Sequence, residues 1–140
     1  MSPEEILRTV ETRVPLHLAT LDARGFPQIT PIWFVFRDDA FWMTSLPYKP
    51  HVQRLRVDSR ASVCVDVEAV ERSDGQCPNM QVRATGEARL AVDEGGQWTR
   101  LITERYVHGE GREESVAQRI ADTRVVIRIA ATNLVAVASV

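Results

Sequence analysis

Lysine is almost missing from this sequence: of its 17 basic residues only Lys49 is a lysine, and the rest are arginine. A source whose coding favours arginine accounts for the bias, but it leaves open why the one exception stands at position 49. Cysteine is nearly as scarce. Cys64 and Cys77 are too few and too oddly spaced for a disulfide framework or a zinc site, and Cys64, alternating within an apolar strand pattern, reads as a buried free thiol. No charge of one sign dominates either. A net charge of −2 gives no electrostatic footprint for nucleic acid or for an anionic membrane. No apolar run approaches the ~18–20 residues that cross a bilayer. The acidic start, Met1-Ser2-Pro3-Glu4-Glu5, lacks the basic and apolar regions of a signal peptide, so the expected location is the cytoplasm.

Familiar catalytic constellations are absent too. No glycine-rich phosphate loop follows a strand and opens a helix. His17, His51 and His108 show no metal-ligand spacing, and no serine or cysteine has the setting of a nucleophile elbow. If the chain is an enzyme, a cofactor carries its chemistry.

What is present is a chain of 140 residues, 44% apolar and 26% charged, enough for one domain, 1–140, with a continuous core. Ser2-Pro3-Glu4-Glu5 reads as a capping box. Ile6, Leu7, Val10 and Val14 then recur at helical spacing until Pro15, giving a short N-terminal helix that lids the core. Strands follow in quick succession: Leu16 to Leu21, Pro27 to Phe36 and Ala40 to Ser45, joined by short turns at Asp22-Ala23-Arg24-Gly25 and Arg37-Asp38-Asp39. Pro31 cannot donate to a ladder and marks a bulge or an edge. A short helix follows Pro50. Ala61 to Val70 is a fourth strand, Glu71 to Asn79 a polar loop and Met80 to Val92 a fifth strand. Gly95-Gly96 precede a helix carrying Trp98, Leu101, Ile102 and Tyr106, and a second helix covers Glu113 to Ala121. Thr123 to Ala130 is a sixth strand, which Leu134 to Ala138 continues past a kink at Asn133. Six strands with a few short helices between them suggest a mainly β, antiparallel barrel.

Three segments stand out: Gln28-Ile29-Thr30-Pro31-Ile32-Trp33-Phe34; Phe41-Trp42-Met43-Thr44-Ser45 with Lys49-Pro50-His51; and Gln81-Val82-Arg83-Ala84-Thr85-Gly86. With Leu18-Ala19-Thr20, Gly25-x-Pro27 and Asp58-Ser59-Arg60 before a valine-rich strand, their order resembles the pyridoxamine 5'-phosphate oxidase-like, FMN-binding split-barrel superfamily over about Leu16 to Leu90.

That resemblance implies a six-stranded antiparallel split β-barrel working as a homodimer, with FMN at the subunit interface. It implies that Thr30, Pro31, Ile32 and Trp33 run beside the isoalloxazine ring, and that Thr44 and Ser45 place hydroxyls near the ribityl chain or phosphate. Gln81 would contact FMN, while Arg83 is expected in a surface charge pair. The family's usual phosphate cation falls on His51, with Lys49 two residues earlier. Since a histidine with a pKa near 6.5 binds phosphate weakly at neutral pH, Lys49 is the favoured cation and Arg54 its reserve. Trp33, Phe34, Trp42 and Trp98 are candidates for the apolar interface. The chain ends in Leu134-Val135-Ala136-Val137-Ala138-Ser139-Val140, which cannot replace the Trp-, Arg- and His-rich C-terminus of true pyridoxamine phosphate oxidases. The expectation is therefore an FMN-dependent oxidoreductase acting on a small organic acceptor, and not a true pyridoxamine phosphate oxidase. Two alternatives stay open: a reductase using the deazaflavin coenzyme, and a flavin- or haem-binding module without turnover.

Overall fold

The computed structural model describes residues 1–68 and 74–139. Ser2 caps helix α1 (Pro3–Val10) in a capping box: its hydroxyl accepts from the Glu5 N–H at 3.2 Å, and its own N–H donates to Glu5 Oε2 at 2.6 Å. Strand β1 (Leu16–Leu21) buries Leu16, Leu18 and Thr20 and turns His17 outward, the period of two that a half-covered strand imposes. Asp22 builds the turn by accepting from the N–H groups of Arg24 and Phe26. β2 (Pro27–Ile32) then returns antiparallel to β1.

Here the first correction falls. The expected strand from Pro27 to Phe36 is two strands, because the chain leaves the ladder at Trp33 and Phe34 and resumes as β3 (Val35–Arg37) in a different sheet. Side chains satisfy the freed backbone of Phe34. Its N–H donates to the Tyr106 hydroxyl at 3.3 Å, and its carbonyl accepts from Arg105 at 3.2 Å. β3 then pairs with β4 (Ala40–Ser45) across Asp38 and Asp39, whose φ angles of 54° and 51° make a two-residue type I′ turn.

Helix α2 (Pro50–Val57) leads into β5 (Arg60–Glu68). The end of the expected fourth strand, Ala69 and Val70, and the start of the polar loop, Glu71 to Ser73, lie outside the described residues. The expected fifth strand also divides. β6 (Asn79–Glu87) stays with β5, whereas β7 (Arg89–Val92) joins the other sheet. Between them the Ala88 N–H donates to the Ser59 carbonyl at 2.7 Å. Helices α3 (Gln97–Tyr106) and α4 (Arg112–Ile120) follow, then β8 (Val125–Ala130). Leu134 onward does not extend β8; it turns back as β9 (Leu134–Ser139) to pair with β6. Three splits thus turn six expected strands into nine among the described residues, and the mainly β, antiparallel class holds.

The strands form a five-stranded sheet, β2-β1-β5-β6-β9, and a four-stranded sheet, β3-β4-β8-β7. The core lies between them. Leu16, Leu18, Val63, Val65 and Val82 come from the first sheet, and Phe41, Met43, Ile127 and Ile129 from the second. Phe34, wholly buried, fills the corner where the chain changes sheets, so it belongs to the barrel interior and not to an interface. Cys64 is a free thiol on the outer face of β5, half-covered rather than in the core. Among the described residues no helix is long and apolar enough to cross a membrane.

Gly96 marks where α3 begins. Its φ is +68°, and a Cβ there would lie 2.7 Å from Ile120 Cγ2 and 2.9 Å from Ile120 Cβ, in α4. Gly96→Ala therefore combines left-handed strain with a clash and should cost about 2–4 kcal/mol. Gly25→Ala, also at positive φ but in open space, should cost about 1–2 kcal/mol. Chemical denaturation of the two variants checks the difference; equal losses would mean that the α3–α4 contact yields.

Candidate functional site

Strand β2 is an edge of its sheet. Half the backbone polar groups of an edge strand point away from its only neighbour, and Pro31, opposite His17, has no N–H to offer in either direction. Against this edge opens a cleft of about 740 Å³. Of the nine residues expected at a site, eight line it together: Thr30, Pro31, Ile32, Trp33, Thr44, Ser45, Lys49 and His51. The fold assembles them from three places. β2 supplies the wall, the end of β4 supplies the hydroxyls, and the start of α2 supplies Lys49 and His51, with Pro50 at the first helical position.

The interior polar groups hold one another. His51 is buried, and its Nε2 lies 2.8 Å from the Ser45 hydroxyl. Burial pulls the imidazole below its ordinary pKa, and the positive charges of Arg54 and Lys49 push the same way. His51 is therefore neutral at pH 7 and offers a hydrogen bond rather than a charge. Thr44 is tied differently. Its hydroxyl lies 3.0 Å from that of Thr99 in α3, which donates to the buried Asp93 carboxylate at 2.7 Å. Asp93 also accepts from the N–H groups of Trp98 and Thr99, so α3 and β4 are pinned together behind the cleft.

Sequence reasoning missed two residues here. Arg119 at the end of α4 and Arg124 just before β8 both reach the cleft. The Arg119 guanidinium lies 4.8 Å from the centre of the Trp33 ring, which also stacks on Tyr106 at 4.8 Å and 4°. Trp33 thus packs on both, and it lines the cleft. Arg124 Nε donates to the Arg119 carbonyl at 3.0 Å. No local signal marks either residue, because each looks like any other arginine on a helix or at a strand end. Arg54, expected as a reserve cation, also lines the cleft and donates to Thr20 Oγ1 at 2.7 Å. Among the described residues no carboxylate lines the cleft. It is a basic slot.

Gln81 stands apart. It sits on β6, opposite Asp66 of β5 and Val137 of β9, three strands from β2 in the same sheet, or roughly 14 Å at the usual strand spacing. Its neighbours Val82 and Ala84 point into the core, so Gln81 and Arg83 face outward. Trp42 and Trp98 stack on each other at 3.9 Å, away from the cleft lining.

The profile of the pyridoxamine 5'-phosphate oxidase family matches residues 2–138. The chain belongs to that family. Solved structures share its fold at low identity. A conserved hypothetical protein, Rv2991, from Mycobacterium tuberculosis is 24% identical with a TM-score of 0.75, over 97% of this chain and 84% of that one. A FAD and heme binding protein from Mycobacterium smegmatis is 19% identical with a TM-score of 0.72, over 99% and 71%. An F420 reductase is 21% identical with a TM-score of 0.66, over 91% and 94%. No curated protein sequence matches.

The state of His51 can be tested by pH. Its pKa is lowered in the folded chain, so the unfolded state takes up a proton that the native state refuses. Stability is therefore full above about 6.5 and is lost as the pH falls through the native value. An NMR titration of the His51 ring should give a midpoint below about 6.5, and His51→Gln should flatten that part of the stability profile. A midpoint at or above the ordinary value would contradict a buried neutral imidazole.

Proposed function

We propose that this family member is a flavin-dependent oxidoreductase that binds FMN in the β2–α2 cleft and acts on a small organic acceptor. The observation that carries this reading is the meeting of a free strand edge with a basic slot that no described carboxylate lines. A planar heterocycle with a polar rim suits the edge, and a phosphate suits the slot. Lys49 is exposed at the N-cap of α2, where the first N–H groups of a helix also favour an anion. With His51 neutral, Lys49 supplies the charge at that end, and His51 keeps the Ser45 hydroxyl oriented. The orphaned Nε of Arg119 further supports an anionic occupant.

In this reading FMN supplies the hydride or electron transfer when bound. The chain binds and orients it along Thr30 to Trp33, and the stack of Arg119, Trp33 and Tyr106 keeps one end of the slot rigid. A deazaflavin-dependent reductase is the second reading, favoured by the four cationic side chains along the cleft and by the likeness to the F420 reductase.

The working unit in this proposal is a homodimer. Ile29, Val135 and Val137 are exposed on the outer face of the five-stranded sheet, at 68%, 49% and 36%. Ile29 lines both the cleft and a second hollow on that face. Pairing two such faces covers the apolar surface and brings the outward Gln81 of one protomer toward the cleft of its partner, the route by which that glutamine reaches a cofactor.

Lys49→Ala should weaken FMN binding by about 1.5–3 kcal/mol, roughly 10- to 150-fold, the worth of a charge-assisted phosphate bond. Flavin fluorescence titration checks it, and unchanged affinity would remove Lys49 from the phosphate. Replacing Ile29 and Val135 together by Asp should turn a dimer into a monomer in light scattering and reduce flavin retention. A dimer that survives both charges would place the interface elsewhere.

A further inference from the structure

The outer face of the five-stranded sheet dips at its middle, and the strand register gives the reason. One row across four strands reads Ile29, Ala19, Ser62 and Thr85, and the next row includes His17, Cys64 and Arg83. Small side chains at Ala19, Ser62 and Cys64 therefore lie between the larger Ile29 on β2 and Arg83 on β6. Those two strands stand three spacings apart, roughly 14 Å. The result is a hollow of about 380 Å³, within the roughly 300–1,000 Å³ of small-molecule sites. It is a different space from the basic cleft, because the two share only Ile29 among their lining residues.

The floor of the hollow asks for no charge. The Ser62 and Thr85 hydroxyls share a hydrogen bond at 3.0 Å. Burial pushes the Cys64 thiol up, Asp66 adds to the rise and Arg83 opposes it, so the thiol keeps its proton at pH 7. Ile29 and Val135 supply apolar walls. Arg83 is the exception. It is exposed at the rim, and among the described residues it has no hydrogen-bond or ion-pair partner. The charge pair expected for it would fall to Asp66, diagonal to it in the register, but that carboxylate is turned elsewhere. Its Oδ1 lies 3.7 Å from His17 Nδ1, and its Oδ2 accepts from Asn79 Nδ2 at 3.4 Å.

A free guanidinium beside a shallow, neutral floor suits a flat molecule with one acid group. We propose that the hollow binds a small conjugated carboxylic acid, with its flat body over Ala19 and Ser62 and its carboxylate on Arg83. A second copy laid over this face would take water from Arg83, and an unpaired charge is then more costly, which favours the acid further. Since Ile29 also lines the cleft, the acid lies beside the edge assigned to the flavin. The acceptor of that reading is thereby narrowed to a molecule that carries an acid group. This last link rests on the flavin reading, whereas the binding of the acid does not.

The test starts on the flavin-free chain, with cinnamate titrated by calorimetry. Arg83→Gln should weaken cinnamate roughly tenfold or more, the worth of a charged hydrogen bond, and Arg83→Lys should restore most of it. Ala19→Leu, which fills the floor and leaves the charge in place, should also abolish binding. Cinnamyl alcohol, without the carboxylate, should bind the native chain and Arg83→Gln equally weakly. Cinnamate that is lost with Lys49→Ala but kept with Arg83→Gln would sit in the basic cleft and overturn the site. Light scattering covers the other use of Arg83: loss of the dimer in both Arg83→Gln and Asp66→Asn would make it half of an ion pair between copies and overturn the site as well. FMN affinity of Arg83→Gln should stay within about twofold, and a tenfold loss would make Arg83 a cofactor ligand instead. Cinnamate binding as expected in a chain that never takes up FMN would uphold the site and remove the flavin reading.

Discussion

The fold turns on two residues that belong to neither sheet. At Trp33 and Phe34 the chain leaves the five-stranded sheet and enters the four-stranded one, and a backbone that leaves a ladder inside a protein needs other partners. Arg105 and Tyr106, neighbours at the end of α3, supply them. Arg105 donates to the carbonyls of Phe34, Val10 and Thr12, and Tyr106 donates to the carbonyl of Val14 while accepting from Phe34. One helix end therefore ties the crossover, the first helix and the lead into β1 together. Burying Phe34 at the corner adds roughly 1.5–3 kcal/mol. More to the point, the crossover ends β2 at Ile32, and its ring at Trp33 becomes the wall of the cleft.

That placement has an electrostatic consequence. Arg119 and Arg124 are half-buried, and burial opposes their charges, as does the proximity of Arg124 to Arg119. A chain folding for stability alone would set a carboxylate between them. The cleft instead leaves its cations facing a common space, and the His51 imidazole there is pushed below its ordinary pKa first by burial and then by the charges of Arg54 and Lys49. Half-buried cations of like sign that face one another in this way cost the native state some stability.

Much of the architecture was legible locally. The capping box, the hairpin of β1 and β2, the helix opened by Pro50 and the alternation in β5 follow from dihedral preferences and periodicity, which neighbouring residues decide. Eight of the nine expected site residues fall in one cleft because they sit on two adjacent hairpins and the helix that follows them, so short-range order carries them together. What misled was continuity. Pro27 to Phe36 and Met80 to Val92 each look like one apolar strand, and nothing in either stretch shows that its second half pairs with a different sheet. Likewise Leu134 reads as a continuation of β8, because the partner that claims it, β6, lies about 50 residues earlier.

By itself, then, the sequence determined the mainly β class, the capped and proline-opened helices and the set of residues along β2, β4 and α2. Those depend on interactions within a few positions. Only the tertiary structure decided that Trp33 packs on both Tyr106 and Arg119, that the buried His51 lies against Ser45, and that Arg119 and Arg124 complete the basic slot. Each of those facts depends on burial or on contact across distant segments, and neither quantity is written in the local order of side chains.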